Sequence, residues 1–153
     1  MKHDLSLKKV LYEYCLNYVR EKLATIQSAI TTAQESANDD SKSSAGDKHE
    51  TGRAMAQLEQ EKLSGQLAEN QKLLHILRTL DPGKTSSVIG TGSLVITDKG
   101  NYYIAISAGK ISTGGEICFA VSAVSPIGKE LIANTDQKEF SFNGQKYLIK
   151  KVL

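Results

Sequence analysis

Four carboxylates crowd one short polar stretch. Asp39, Asp40 and Asp47 lie in the run Asn38–His49 (NDDSKSSAGDKH), and Glu50 follows it directly. The run has no apolar stripe to pack with, and it joins two stretches that do pack. Mg²⁺ takes hard oxygen ligands and is commonly held by one or two protein carboxylates plus phosphate, with several waters retained. A second such ion, roughly 3.5–4 Å from a first, orients a water and stabilises the leaving oxygen of a phosphodiester. Asp47 and Glu50, three apart at an expected helix start, supply the two acidic groups this chemistry needs, and Asp39 and Asp40 could approach from the other side of the joint. The same spacing also fits a capping box. There, Asp47 accepts first-turn N–H groups and Glu50 reaches back, stabilising the helix by ~1 kcal/mol. The two roles are compatible, and Asp39 and Asp40 also read as solvated loop charges.

Other chemistries lack their residues. His3, His49 and His75 are scattered without HxxxH or HExxH spacing, which argues against zinc. Ser43-Ser44 and Ser86-Ser87 sit outside any GxSxG elbow. Gly90-Thr91-Gly92 reads as a turn between strands, with no helix after it to cradle phosphate. Cys15 and Cys118 have neither a CxxC partner nor a nearby His, so they read as reduced packing residues and not as the nucleophile of an acyl-transfer enzyme. Arg53 reads as an exposed helix charge.

The elements that position the carboxylates are legible. Tyr12, Leu16, Val19, Leu23, Ile26, Ile30, Ala33 and Ala37 repeat at alternating steps of four and three, the seam of a coiled coil. Leu63, Leu67, Asn70, Leu74 and Leu77 repeat likewise, with Asn70 as a register-setting polar residue. Ala54 and Leu58 lie in another phase, and the five-residue step to Leu63 suggests a stutter. The second helix is expected to start near Asp47 and stop before Asp81-Pro82-Gly83. The short joint implies antiparallel pairing. A hairpin with an acidic tip is therefore expected over residues 1–81.

Beyond Pro82 the period becomes that of strands. Ser93–Thr97, Asn101–Ser107 and Glu116–Val121 are β-favouring runs between glycines, and Asn143-Gly144 marks a hairpin between Glu139–Phe142 and Gln145–Val152. Pro126–Ile132 reads as a short helix capped by Ser125. Tyr102, Tyr103, Phe119, Phe140 and Phe142 read as sheet core. The expectation for residues 82–153 is a small antiparallel sheet with one helix, so the fold class is α+β.

Bulk properties narrow the function classes. A net charge of +2, all of it in residues 81–153, is too weak for a direct electrostatic nucleic-acid binder, so no stable DNA binding is expected. No apolar run is long enough to span a bilayer, and the charged N-terminus lacks a secretion signal, so a cytoplasmic protein without a membrane partner is expected.

A helical hairpin with an acidic tip, then a sheet domain carrying Val124–Ile132 (VSPIGKELI) and Glu139–Val152 (EFSFNGQKYLIKKV), resembles the Gre family of bacterial transcript cleavage and elongation factors. The resemblance covers nearly the whole chain. It implies a coiled-coil domain followed by an FKBP-like domain that binds RNA polymerase at the rim of its secondary channel. By this resemblance Ser125, Pro126, Ile127, Gly128 and Lys129 belong to the partner-binding signature. The coiled coil would reach the active centre, where Asp47 and Glu50 would help to hold a shared Mg²⁺ and a water for hydrolysis of backtracked RNA, with Asp39 and Asp40 as secondary candidates. The protein would carry no cofactor of its own and would not be an enzyme by itself, because it stimulates the polymerase's own hydrolysis. The family's tip motif reads roughly Gly-Asp-Leu-Ser-Glu-Asn-Ala-Glu-Tyr. Aligned on Glu50, its working Glu falls on Asp47 and its working Asp on Ser44. A channel-binding regulator without cleavage activity is the alternative.

Overall fold

The computed structural model describes residues 2–42 and 46–153, with side chains described for 3–36, 38 and 51–153. Two long helices come first, α1 (Lys2–Lys42) and α2 (Gly46–Arg78). Strands β1 (Leu94–Thr97), β2 (Gly100–Ala105), β3 (Gly109–Thr113) and β4 (Glu116–Ser122) follow, then helix α3 (Pro126–Ala133) and strands β5 (Glu139–Phe142) and β6 (Gln145–Val152). The architecture is α+β, a helical hairpin followed by a six-stranded sheet with one short helix. No helix among the described residues is long and apolar enough to cross a membrane.

Packing divides the chain into two units, Val19–Leu74 and a second made of Met1–Tyr18 with His75–Leu153. The boundary expected at Asp81 separates types of secondary structure. The packing boundary falls inside both long helices, because Leu7, Leu11, Cys15 and Leu77 are buried in the same unit as the strands.

In the first unit the seam of α1 is as the spacing predicts. Val19 and Ile26 are buried and Leu23, Ile30 and Ala33 are half-buried, whereas Glu21, Lys22, Gln27 and Gln34 are exposed. Ile30 and Gln34 share a small cavity with Gln60, Leu63 and Ser64, while Ala33 and Ser36 lie beside Ala56, so α1 and α2 run antiparallel. Three expectations are corrected here. Asn38–Lys42 is helical, not loop, because an apolar stripe is needed for packing but not for helix formation, and no Gly or Pro interrupts the chain before Gly46. No stutter is needed at Leu58, since Met55 and Leu58 are 66% and 65% exposed. Gly52 and Ala56 take the inward positions, and Ala56 lies one heptad before Leu63. Asn70 donates to the Gln66 carbonyl of its own helix at 2.8 Å, and its Oδ1 has no partner among the described residues, so it makes no hydrogen bond across the seam.

In the second unit the sheet order is β3-β4-β2-β1-β6-β5. Four of its neighbouring pairs are antiparallel, but β2 and β4 are parallel, with Tyr102 opposite Phe119 and Tyr103 opposite Ala120. The sheet is therefore mixed and not wholly antiparallel: the β3–β4 hairpin folds so that β4 inserts beside β2 and leaves β3 at the edge. β3 was not among the expected strands. Its one buried apolar residue is Ile111, too little to produce an alternating pattern between Gly109 and Gly114.

Alternation along the central strand serves two cores. Tyr102 and Ile104 join Val95, Leu131, Phe140 and Tyr147 in a cluster completed by Phe119, Phe142 and Ile127. Tyr102 stacks on Phe119 at 5.3 Å between ring centroids, and Phe140 on Tyr147 at 5.0 Å. Tyr103 points the other way, is fully buried, and lies within electrostatic reach of Cys15 and Tyr12 of α1. Tyr12 donates to the Leu77 carbonyl at 2.9 Å, tying the two helices together at this level. The Asn143-Gly144 turn has φ of 50° and 74°, the left-handed pair that a two-residue hairpin demands.

Candidate functional site

All four acidic residues of the expected tip lie in helical backbone. Asp39 and Asp40 fall in the last turn of α1, and Asp47 and Glu50 at the second and fifth residues of α2. Helix α2 begins one residue ahead of Asp47, which places Asp47 inside the first turn instead of before it. An acidic residue there still complements the helix dipole. The side chains of these four residues lie outside the described set. So does Ser44, the residue aligned with the family's working Asp, together with the connection 43–45.

The signature around α3 is fully described, and much of it serves the fold. Ser125 Oγ accepts the Gly128 N–H at 3.2 Å and donates to the Ser122 carbonyl at 2.7 Å, so one hydroxyl caps the helix and closes the turn before it. Pro126 occupies the first helical turn, where its missing N–H leaves no gap in the helix hydrogen bonds. Gly128 is buried against Ser122, and Ile127 packs half-buried on the aromatic cluster. Pro126 and Lys129 are exposed, as is Val124, 76% open and immediately before the cap. Of the five signature residues, then, Ser125, Ile127 and Gly128 face inward tasks, and Pro126 and Lys129 are presented outward. Val124, which sequence reasoning did not single out as a contact, adds the apolar part of that surface. Its signal was position alone: a β-branched residue directly before a helix cap, outside any strand.

Neither cysteine is poised as a nucleophile. Burial pushes the Cys15 thiol up to about 12 and also raises Cys118, whose sulfur lies 3.8 Å from Asn101 Nδ2. Both are buried, as packing residues should be. His3 Nε2 lies 3.5 Å from Glu116 Oε1 on the surface. Among the described residues no group of three or more His, Cys, Asp or Glu could hold a metal ion. No family model, no curated protein and no solved structure matches this chain.

Proposed function

We propose that this protein is a Gre-like factor that docks on RNA polymerase at its secondary channel and stimulates cleavage of backtracked RNA. The observation that carries the reading is the placement of four acidic residues at the adjoining ends of two antiparallel helices, Asp39 and Asp40 in the last turn of α1 and Asp47 and Glu50 at the start of α2. The resemblance of the α3 signature to the family supports it, as does the outward surface of Val124, Pro126 and Lys129 beside Ser125. Two carboxylates three residues apart are a donor set of the hard-oxygen kind that Mg²⁺ accepts, and Asp47 and Glu50 are the residues that would lend it. That ion belongs to the polymerase, and its chemistry there is the activation of a water for phosphodiester hydrolysis. Asp39 and Asp40 add negative charge to the same end of the hairpin. The β-domain's part is to grip the partner.

The test is RNA cleavage in stalled transcription complexes with wild-type protein and with Asp47→Ala/Glu50→Ala. Stimulation by the wild type and its loss in the double variant are expected. Failure of the wild type to stimulate at any Mg²⁺ concentration sinks the reading. Ser44, standing where the family's motif has its working Asp, favours a second reading: a factor that docks in the same way but occupies the channel without promoting cleavage. In that case the double variant competes with a cleavage-competent factor as well as the wild type does.

A further inference from the structure

A depression of about 430 Å³ opens in the unit made of Met1–Tyr18 and His75–Leu153, where the start of α1 meets the segment between α2 and β1. Lys8 lines it from α1 and is only 3% exposed; Asp81, Lys84, Thr85 and the turn containing Thr91 line it from the other side. Lys8 Nζ donates to the Lys84 carbonyl at 2.6 Å. An ammonium has three donors, and no second acceptor meets this one among the described residues. The hydroxyls of Thr79, Ser86 and Ser93 in the lining are spent on neighbouring carbonyls, but other groups are not. The Lys84 ammonium pairs with no carboxylate, and neither the Thr91 N–H nor the hydroxyls of Thr85 and Thr91 find an acceptor among the described residues.

The one acidic side chain in the lining is Asp81, whose Oδ1 accepts the Gly83 N–H at 2.9 Å. Its charge supports the Lys8 ammonium, but burial dominates and holds the Lys8 pKa below its ordinary value. A charged group that burial disfavours gains most from an anion delivered beside it. Ammonium, N–H and O–H donors that line one depression from different chain segments suit a tetrahedral oxyanion, which accepts on three or four oxygens, better than a planar carboxylate.

We propose that this depression binds a phosphate group, either free or as the head of a small phosphomonoester. Lys8 supplies charge from the floor, Lys84 supplies it from the rim, and Thr85 and Thr91 supply neutral donors. The site shares no residue with the hairpin joint and does not depend on the polymerase reading.

The test follows the amide ¹H–¹⁵N spectrum of the full chain during titration with inorganic phosphate and, separately, with glycerol 3-phosphate, sodium chloride holding the ionic strength constant. Saturable shifts confined to residues 84–86 and 91 are expected, and the tighter of the two probes identifies the source of the phosphate. Lys84→Gln removes the rim ammonium but keeps the backbone carbonyl that Lys8 uses, so the fold is retained and binding should weaken roughly tenfold. Thr85→Val is a second, exposed variant that should weaken binding by a smaller factor. Shifts that fail to saturate, that chloride alone reproduces, or that persist at wild-type affinity in both variants overturn the proposal.

Discussion

Gly128 and Ser122 approach so closely that a β-carbon on Gly128 would collide with the Ser122 carbonyl oxygen, the same oxygen that accepts the Ser125 hydroxyl. Glycine is required there by space and not by backbone conformation, since the residue is helical. Gly128→Ala must push α3 away from the end of β4, pulling Leu131 and Ile127 off the aromatic cluster. Overpacking against backbone of this kind costs ~2–3 kcal/mol. The urea midpoint should fall accordingly, while Ser125→Ala, which loses the cap but no space, should cost ~1 kcal/mol. Equal stability of wild type and Gly128→Ala would show that α3 can move freely at this contact.

The hairpin provides a contrast between two leucines. Leu63 is 5% exposed and Leu58 is 65% exposed, although both lie in the same helix and look alike in sequence. Leu63→Ala should cost ~2–4 kcal/mol by loss of burial and creation of a cavity. Leu58→Gln should change stability by less than ~0.5 kcal/mol. Thermal melts followed at 222 nm distinguish the two, and a large loss from Leu58→Gln would restore the stutter reading.

That contrast also marks what the sequence made legible. The seam from Tyr12 to Ala33 was readable because each inward residue is larger or more apolar than its neighbours. The hairpin at Asn143-Gly144 and the cap at Ser125 were readable because their backbone geometry demands particular residue types. Upstream of Leu63 the inward residues are Gly52 and Ala56, so the outward Leu58 carried the stronger hydrophobic signal and misled. β3 escaped because an edge strand with one inward apolar residue has no period to detect. The acidic residues were legible as a run between two helical patterns, and the structure adds only that their backbone is helical. The depression around Lys8 was not legible at all, since it joins residues more than seventy positions apart through folding alone.

The ion pair between Lys151 Nζ and Asp4 Oδ2, at 2.7 Å, fastens the first turn of α1 to β6. The Lys151 hydrogen bond is the largest influence on Asp4 and holds its carboxyl below the ordinary value of 3.8. A carboxyl depressed in the folded state binds its proton more readily when unfolded. Its contribution to stability is therefore complete above the unfolded pKa and is lost as pH falls through the folded one. Lys151→Met should lower stability at pH 7 by under ~1 kcal/mol, as half-exposed pairs do. The gap between wild type and variant should close as the pH drops from about 4 towards 2. A gap that is independent of pH would mean that the lysine stem, and not its charge, makes the contact.

Docking can be separated from folding at the surface beside α3. Val124 and Lys129 are exposed, neither caps the helix, and neither belongs to the aromatic cluster, unlike Ser125, Gly128 and Ile127. Val124→Ser/Lys129→Ala should leave the urea midpoint within ~0.5 kcal/mol of wild type. If this surface meets the polymerase, the pair removes one apolar contact and one charge, and affinity should fall by about tenfold or more, equivalent to ~1.4 kcal/mol. Competition binding against a labelled cleavage factor on purified polymerase measures this directly. Wild-type affinity in the double variant would move the docking surface away from α3, while leaving the acidic hairpin joint to be tested by cleavage alone.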